Sequence, residues 1–209
     1  MKRFLNSCMF VTVVLLLTGC GAKFEPTEST IFVTSKGEVK SAIFESFDKS
    51  YYDFDELSET VQKEVKSYCL DKNNEEAAVV ESLTKGNDEV ALIMNFQTAD
   101  DYVAFQDVLL FTGTYAEAVN AGYVPVELYD AEGVSVETDF EDLDELKVIV
   151  TEESVTIQTH GKIKYVSDNV SIVDKKLARA FEAGKTHPAF VLYKSKRGEK
   201  KWKRQWKKS

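Results

Sequence analysis

The sequence is poor in residues on which much protein chemistry depends: two histidines, three cysteines, three prolines and ten glycines among 209 residues. Scarce proline and glycine exclude a collagen-like chain and a Pro/Gly-rich disordered one. His160 and His187 stand alone, in no HExxH, HxH or cysteine-paired spacing, so no zinc motif is present. The chain also lacks a GxSxG elbow, a Walker loop and a dinucleotide-binding glycine pattern. Cys8 falls in a segment expected to be removed and Cys20 in one expected to be acylated, which leaves Cys69 unable to form an intramolecular disulfide. Nor is there an apolar run of the roughly 20 residues that a membrane-spanning helix needs. These absences point to a non-enzymatic protein without cofactor or metal, although a Ser-His-Asp group assembled only in space stays open.

What is present is an ordinary globular composition, 44% hydrophobic and 29% charged, long enough for one sizeable core or two small domains. The net charge of −9 is unevenly spread. Residues 1–19 carry +2. Residues 194–209 carry nine Lys/Arg against Glu199, for +8, and the body between carries fifteen basic and thirty-four acidic residues, for −19.

Lys2 and Arg3 precede the nine-residue run Met9–Leu17, interrupted only by Thr12, which has the length of a signal-peptide core. Leu17-Thr18-Gly19-Cys20 follows and resembles the bacterial lipobox. That resemblance implies cleavage before Cys20, diacylglyceration of Cys20, and a mature protein on the outer face of a cell membrane. Two acyl chains give the stable anchoring that one cannot. The expected layout is a signal peptide over 1–19 and a tether over 20–29. A globular domain then fills 30–193, any internal boundary falling near 127–145, and a basic tail occupies 194–209.

Within the body, Thr30–Thr34 and Val39–Phe44 flank the turn Ser35-Lys36-Gly37-Glu38 and read as a hairpin. Phe54, Leu57, Val61, Val65 and Tyr68 recur at helical spacing, predicting a helix from Phe54 to about Lys72 with Asp53 as its N-cap and Asn73-Asn74 as its exit. Cys69 continues that stripe and reads as a small buried hydrophobe. A second hairpin spans Ala78–Leu83 and Val90–Phe96. Thr98-Ala99-Asp100-Asp101 and Thr114-Tyr115-Ala116-Glu117 resemble capping boxes opening two short helices, the second closed by Gly122. Strand character at Leu146–Val150, Ser154–Gln158, Lys162–Val166 and Val170–Val173 predicts a meander, with Gly161 in a hairpin turn. Asp174–Ala183 reads as a short helix before a last strand, Ala189–Tyr193. The expected fold class is α+β: mainly antiparallel sheet from hairpins, packed against a few amphipathic helices.

Several stretches resemble a group of uncharacterised surface lipoproteins from clostridial, Gram-positive gut bacteria. They are Thr30-Ile31-Phe32-Val33, Tyr51-Tyr52-Asp53, Leu110-Phe111-Thr112-Gly113-Thr114 with Ala116-Glu117-Ala118 and Ala121-Gly122-Tyr123, and Gly161 to Ser167. The resemblance implies an exported, anchored protein and carries no catalytic or binding residue. Members of that group end near the strand represented by Tyr193, which makes the tail a departure.

Three segments suggest ligands. Phe111-Thr112-Gly113-Thr114 precedes a helix start, where free N–H groups can meet an anion, but a plain cap explains it more simply. Asp139, Glu141, Asp142, Asp144 and Glu145 offer oxygen ligands for calcium, without the spacing of an EF-hand. The tail places Trp202 and Trp206 four residues apart among Lys200, Lys201, Lys203, Arg204, Lys207 and Lys208. Such a segment suits anionic lipid or an anionic wall polymer, and also single-stranded nucleic acid. A disordered solubilising tail, or one folded onto the acidic body, is the alternative. The expected function is therefore a membrane-anchored lipoprotein with a binding or scaffolding role at the cell envelope. A small-ligand or peptide-binding lipoprotein is the alternative, and an envelope hydrolase ranks behind both.

Overall fold

The computed structural model describes residues 23–137, 143–181 and 187–195. It is an α+β fold of two mainly antiparallel sheets and three helices, as expected. The seven-stranded sheet has the order β11-β12-β9-β1-β2-β4-β3. Its members are β1 (Thr30–Val33), β2 (Val39–Ser46), β3 (Ala78–Lys85), β4 (Glu89–Phe96), β9 (Thr156–Thr159), β11 (Val170–Asp174) and β12 (Leu177–Ala180). The six-stranded sheet has the order β5-β8-β13-β10-β6-β7. It is built from β5 (Leu110–Thr114), β6 (Leu128–Tyr129), β7 (Ser135–Val136), β8 (Lys147–Thr151), β10 (Lys162–Val166) and β13 (Ala189–Lys194). Among the described residues, β1 and β9 form the one parallel pair.

The sheets face each other across a core drawn from both, including Ile31, Val39, Met94 and Phe96 on one side and Ile149, Ile163, Val191 and Tyr193 on the other. The alternating residues Val148, Val150, Phe190 and Leu192 form a second core with Leu128, Leu143 and helix α3 (Tyr115–Asn120). Strands buried on both faces read as continuous apolar runs, which is why β13 has five consecutive buried residues, AFVLY.

Helix α1 (Phe54–Lys72) starts and stops where its local chemistry dictates. The Asp53 carboxylate accepts from the N–H groups of Asp55 and Glu56 at 2.8 and 3.1 Å, and Asn73 closes the helix in the left-handed region at φ 50°. The helix lies along β3 and rests Val65, Tyr68 and Cys69 on the core, yet none of its residues is fully buried. Cys69, expected buried, is therefore only half-buried. Helix α2 (Ala99–Gln106) is capped by Thr98, whose hydroxyl accepts from the Asp101 N–H at 3.1 Å. The reverse bond differs from a capping box: Asp101 turns to the Thr98 hydroxyl at 2.6 Å. Thr114 and Glu117 do form the complete box at the start of α3, so the anion reading of that segment gives way to the cap, and Gly122 follows at φ 91°.

Three expectations are corrected. The described part of the expected helix, residues 174–181, is not helical: Lys175-Lys176 is the two-residue turn between β11 and β12, and Leu177–Ala180 is a strand. Its helix-favouring Ala, Lys and Arg are overridden because Ala178 and Ala180 alternate into the core while the backbone pairs with β9. The expected meander is four strands that alternate between the two sheets, β8 and β10 in one, β9 and β11 in the other. Gly161 accordingly sits at a corner between sheets and in no hairpin. A Cβ there would fall 2.2 Å from the Lys194 carbonyl oxygen, so the corner needs glycine for close backbone approach. Strands β5, β6 and β7 lie in stretches where no strand is expected from the sequence.

Residues 23–29, expected to be the end of a tether, cross the outer face of the seven-stranded sheet. Phe24 stacks on Phe32 with centroids 5.9 Å apart, Gln158 donates to the Lys23 carbonyl at 3.0 Å, and Glu28 takes a 2.6 Å bond from Thr156. Glu28 also pairs with Arg179, whose hydrogen bonds hold its carboxyl below the usual range.

Candidate functional site

The loop from β2 into α1 builds the most ligand-like concavity. Along β2, Val39, Ser41, Ile43 and Glu45 point to one face, since side chains alternate on a strand. The inward series, apolar at Val39 and Ile43, thus ends in a carboxylate opposite Val90 of β4, on the face that α1 covers. Chain reversal follows: the Phe47 N–H donates to the Asp88 carbonyl at 2.7 Å and the Tyr52 N–H to the Lys49 carbonyl at 3.1 Å. That turn gathers three rings ahead of the helix against Phe54 at its first position. Phe47 lies 5.0 Å from Tyr52 and 6.5 Å from Phe54, and Tyr51 crosses Tyr52 at 76° with centroids 4.9 Å apart.

The resulting cleft has a volume of about 440 Å³. Its floor is Ile43, Leu57, Val61, Leu83, Val90 and Leu92, its aromatic wall Phe47, Tyr51 and Tyr52, and its acidic rim Glu45, Asp53 and Glu56. Tyr51 is 76% exposed although its ring packs against Tyr52, a large apolar surface left open to solvent. The Lys85 ammonium sits 4.9 Å from the Phe47 ring centroid, on an aromatic face and not on a carboxylate. Lys49 is occupied by Asp48 at 3.0 Å, and no basic residue lines the cleft. Asp53 is committed to its cap, whereas the Glu45 and Glu56 carboxylates have no ion-pair or hydrogen-bond partner among the described residues.

Two further concavities differ in character. One, about 660 Å³, runs along the C-terminal half of α1 and is lined by Val65, Cys69, Leu70 and Val80 with Lys66, Asn73 and Glu75 around them. Cys69 there contacts the carbonyls of Ala78 and Glu75 at 3.2 and 3.7 Å, and no histidine lines this concavity. The other, about 460 Å³, lies between the β6–β7 turn and β10–β11 and is lined by Tyr129, Asp130, Ser167 and Asp168 among others. Its polar groups are spent on structure: Ser167 donates to Asn169 at 2.6 Å and accepts from the Phe190 N–H at 2.8 Å, and Asp130 accepts from two turn N–H groups.

Neither histidine is isolated. His160 Nδ1 lies 3.3 Å from the Val33 carbonyl and Nε2 3.2 Å from Ser195 Oγ, with the ring edge-on to Tyr193. The carbonyl makes Nδ1 the protonated nitrogen, so Ser195 donates to Nε2; burial pushes the imidazole pKa down and keeps it neutral. This is the geometry of a nucleophile with its base, although neither residue lines any of the three concavities described above. His187 Nε2 meets Asp168 at 3.1 Å and its Nδ1 the Pro188 carbonyl at 3.2 Å.

Cys20 and the tail residues Lys200, Lys201, Trp202, Lys203, Arg204, Trp206, Lys207 and Lys208 lie outside the described residues, as do Asp139, Glu141 and Asp142. Among the described residues no cluster of His, Cys, Asp and Glu could hold a metal ion, and no helix is long and apolar enough to cross a membrane. Of the cleft's residues the sequence marked Tyr51-Tyr52-Asp53, the helical positions Leu57 and Val61 and the strands that hold Ile43, Leu83, Val90 and Leu92, but gave no signal for Glu45, Phe47 or Glu56. Comparison with protein-family models, curated proteins and solved structures finds no match for the chain.

Proposed function

We propose that the protein is a non-enzymatic lipoprotein, anchored through acylated Cys20 to the outer face of a cell membrane, that binds a small ligand in the cleft between α1, β2 and β4. The cleft itself is the observation that carries the reading: an apolar floor, an aromatic wall and a few convergent carboxylates, the usual composition of a ligand site. The order of basic residues, apolar run and Leu17-Thr18-Gly19-Cys20 supports the anchor. The tail adds a second contact, with anionic lipid or wall polymer, supported by its charge and its two tryptophans.

The test uses bacteria expressing the full chain with an alkyne fatty acid in the medium. The wild type incorporates label and loses residues 1–19, while Cys20→Ala does neither. Label on Cys20→Ala, or an unlabelled wild type, contradicts the anchor. Thermal-shift screening of the purified chain against small-molecule sets then tests the cleft, with hits expected to vanish in Val61→Trp.

A further inference from the structure

Building on the proposed ligand cleft, we infer that it selects an organic cation: a quaternary or substituted ammonium group carried on an apolar or aromatic body. Three features of the site converge on that class. Its rings offer electron-rich faces, Tyr51 and Tyr52 meeting at 76° to form a corner into which a rounded cation fits. Glu45 and Glu56 hold negative charge on the rim without any partner among the described residues, so a positive ligand gains Coulomb attraction at no cost of a broken ion pair. The nearby Lys85 ammonium already rests over the Phe47 ring at 4.9 Å, a cation held by the same aromatic group.

The shape argues for the apolar body. Behind the rings and carboxylates, Ile43, Leu57, Val61 and Leu92 line a floor that an inorganic cation could not use. A simple hydrated metal ion also finds too few oxygens, since Asp53 spends one carboxylate oxygen on the Asp55 and Glu56 N–H groups. An anionic ligand meets three carboxylates and no lining base. The acidic body, at −19, raises the local concentration of cations before they reach the cleft.

The experiment titrates the full chain, in detergent and at moderate salt, with benzyltrimethylammonium, with its neutral carbon isostere neopentylbenzene, and with phenylacetate. The expected result is binding of the cation about ten-fold or more tighter than the isostere, and no binding of the anion. Glu45→Gln combined with Glu56→Gln lowers affinity for the cation several-fold, Tyr52→Leu does likewise, and Val61→Trp abolishes it. All these side chains are at least partly exposed, so the variants are expected to fold. Equal affinity for cation and isostere, lost in Val61→Trp, overturns the charge selection while leaving the cleft as a ligand site. Cation binding that survives both Val61→Trp and the double glutamine variant overturns the site assignment. Failure of every probe to bind removes the support for the cleft as well.

Discussion

The Tyr102 hydroxyl donates to both carboxylate oxygens of Glu153, at 2.8 and 3.0 Å, tying helix α2 to the chain just beyond β8. Tyr102 is almost wholly buried and its ring meets Phe96 edge-on at 5.2 Å, so α2 is pinned by one ring and one hydroxyl. Burial pushes the Glu153 carboxyl up and the phenol up with it; the hydrogen bond from Tyr102 partly offsets the rise at Glu153. Tyr102→Phe leaves the carboxylate short of a donor and is expected to cost about 1–3 kcal/mol, read by urea unfolding at neutral pH. Because the folded value of Glu153 is raised, its contribution is greatest at acid pH and declines as pH rises through that value. The Tyr102 bond itself favours the charged carboxylate, so the loss in Tyr102→Phe should shrink toward pH 4 as Glu153 takes up its proton, whereas a purely steric defect would be independent of pH.

Gly161→Ala tests the corner between the sheets. A methyl group 2.2 Å from the Lys194 carbonyl oxygen must displace backbone, because no flexible side chain can yield. Destabilisation of about 1–3 kcal/mol is expected, by denaturant titration. Gly37→Ala is its contrast: nothing lies within 4 Å of the added carbon, and its cost comes only from φ 91°.

His160 makes the fold sensitive to mild acid. Its folded pKa lies below the ordinary 6.5, so the unfolded chain binds the proton more readily. Stability is full above 6.5 and falls as pH drops through the window between that value and the lower folded one. His160→Gln should flatten that part of the pH–stability curve. The same variant, with Ser195→Ala, bears on the hydrolase alternative: neither should change any activity, and loss of a measured esterase activity in both would revive it.

Removal of residues 196–209 should weaken binding to vesicles of anionic lipid at low salt. The tail contributes about 1 kcal/mol for each Lys or Arg that reaches the surface, and raising the salt should erase most of the difference. Flotation of intact and truncated protein, both with Cys20→Ser to remove the anchor, makes the comparison. Equal flotation contradicts a surface role for Lys200–Lys208 and the two tryptophans.

Features written in local chemistry were legible from the sequence. Helix α1 begins at Phe54 and ends at Lys72 as its periodicity and caps require, and the Thr114–Glu117 box opens α3. Partnership between distant strands was not. β1 pairs with β9 from the far end of the chain, and nothing in TIFV or TIQT declares that register. The same blindness made a helix of Leu177–Ala180, where packing against β9 outweighs propensity, and a meander of strands that belong to two layers. The cleft shares this character. Its rings and Glu45 are sequence neighbours, but Val90 and Leu92 join them only because β4 pairs with β2, setting Val90 opposite Glu45 and Leu92 opposite Ile43.

Amide hydrogen exchange on the full chain, with and without benzyltrimethylammonium, tests the cleft most directly. Protection on binding should concentrate between Glu45 and Val61 and in the β3–β4 residues Leu83, Val90 and Leu92, with no change along β10 and β11. Protection confined to the β10–β11 concavity or to the C-terminal half of α1, or no protection at saturating ligand, would contradict the account.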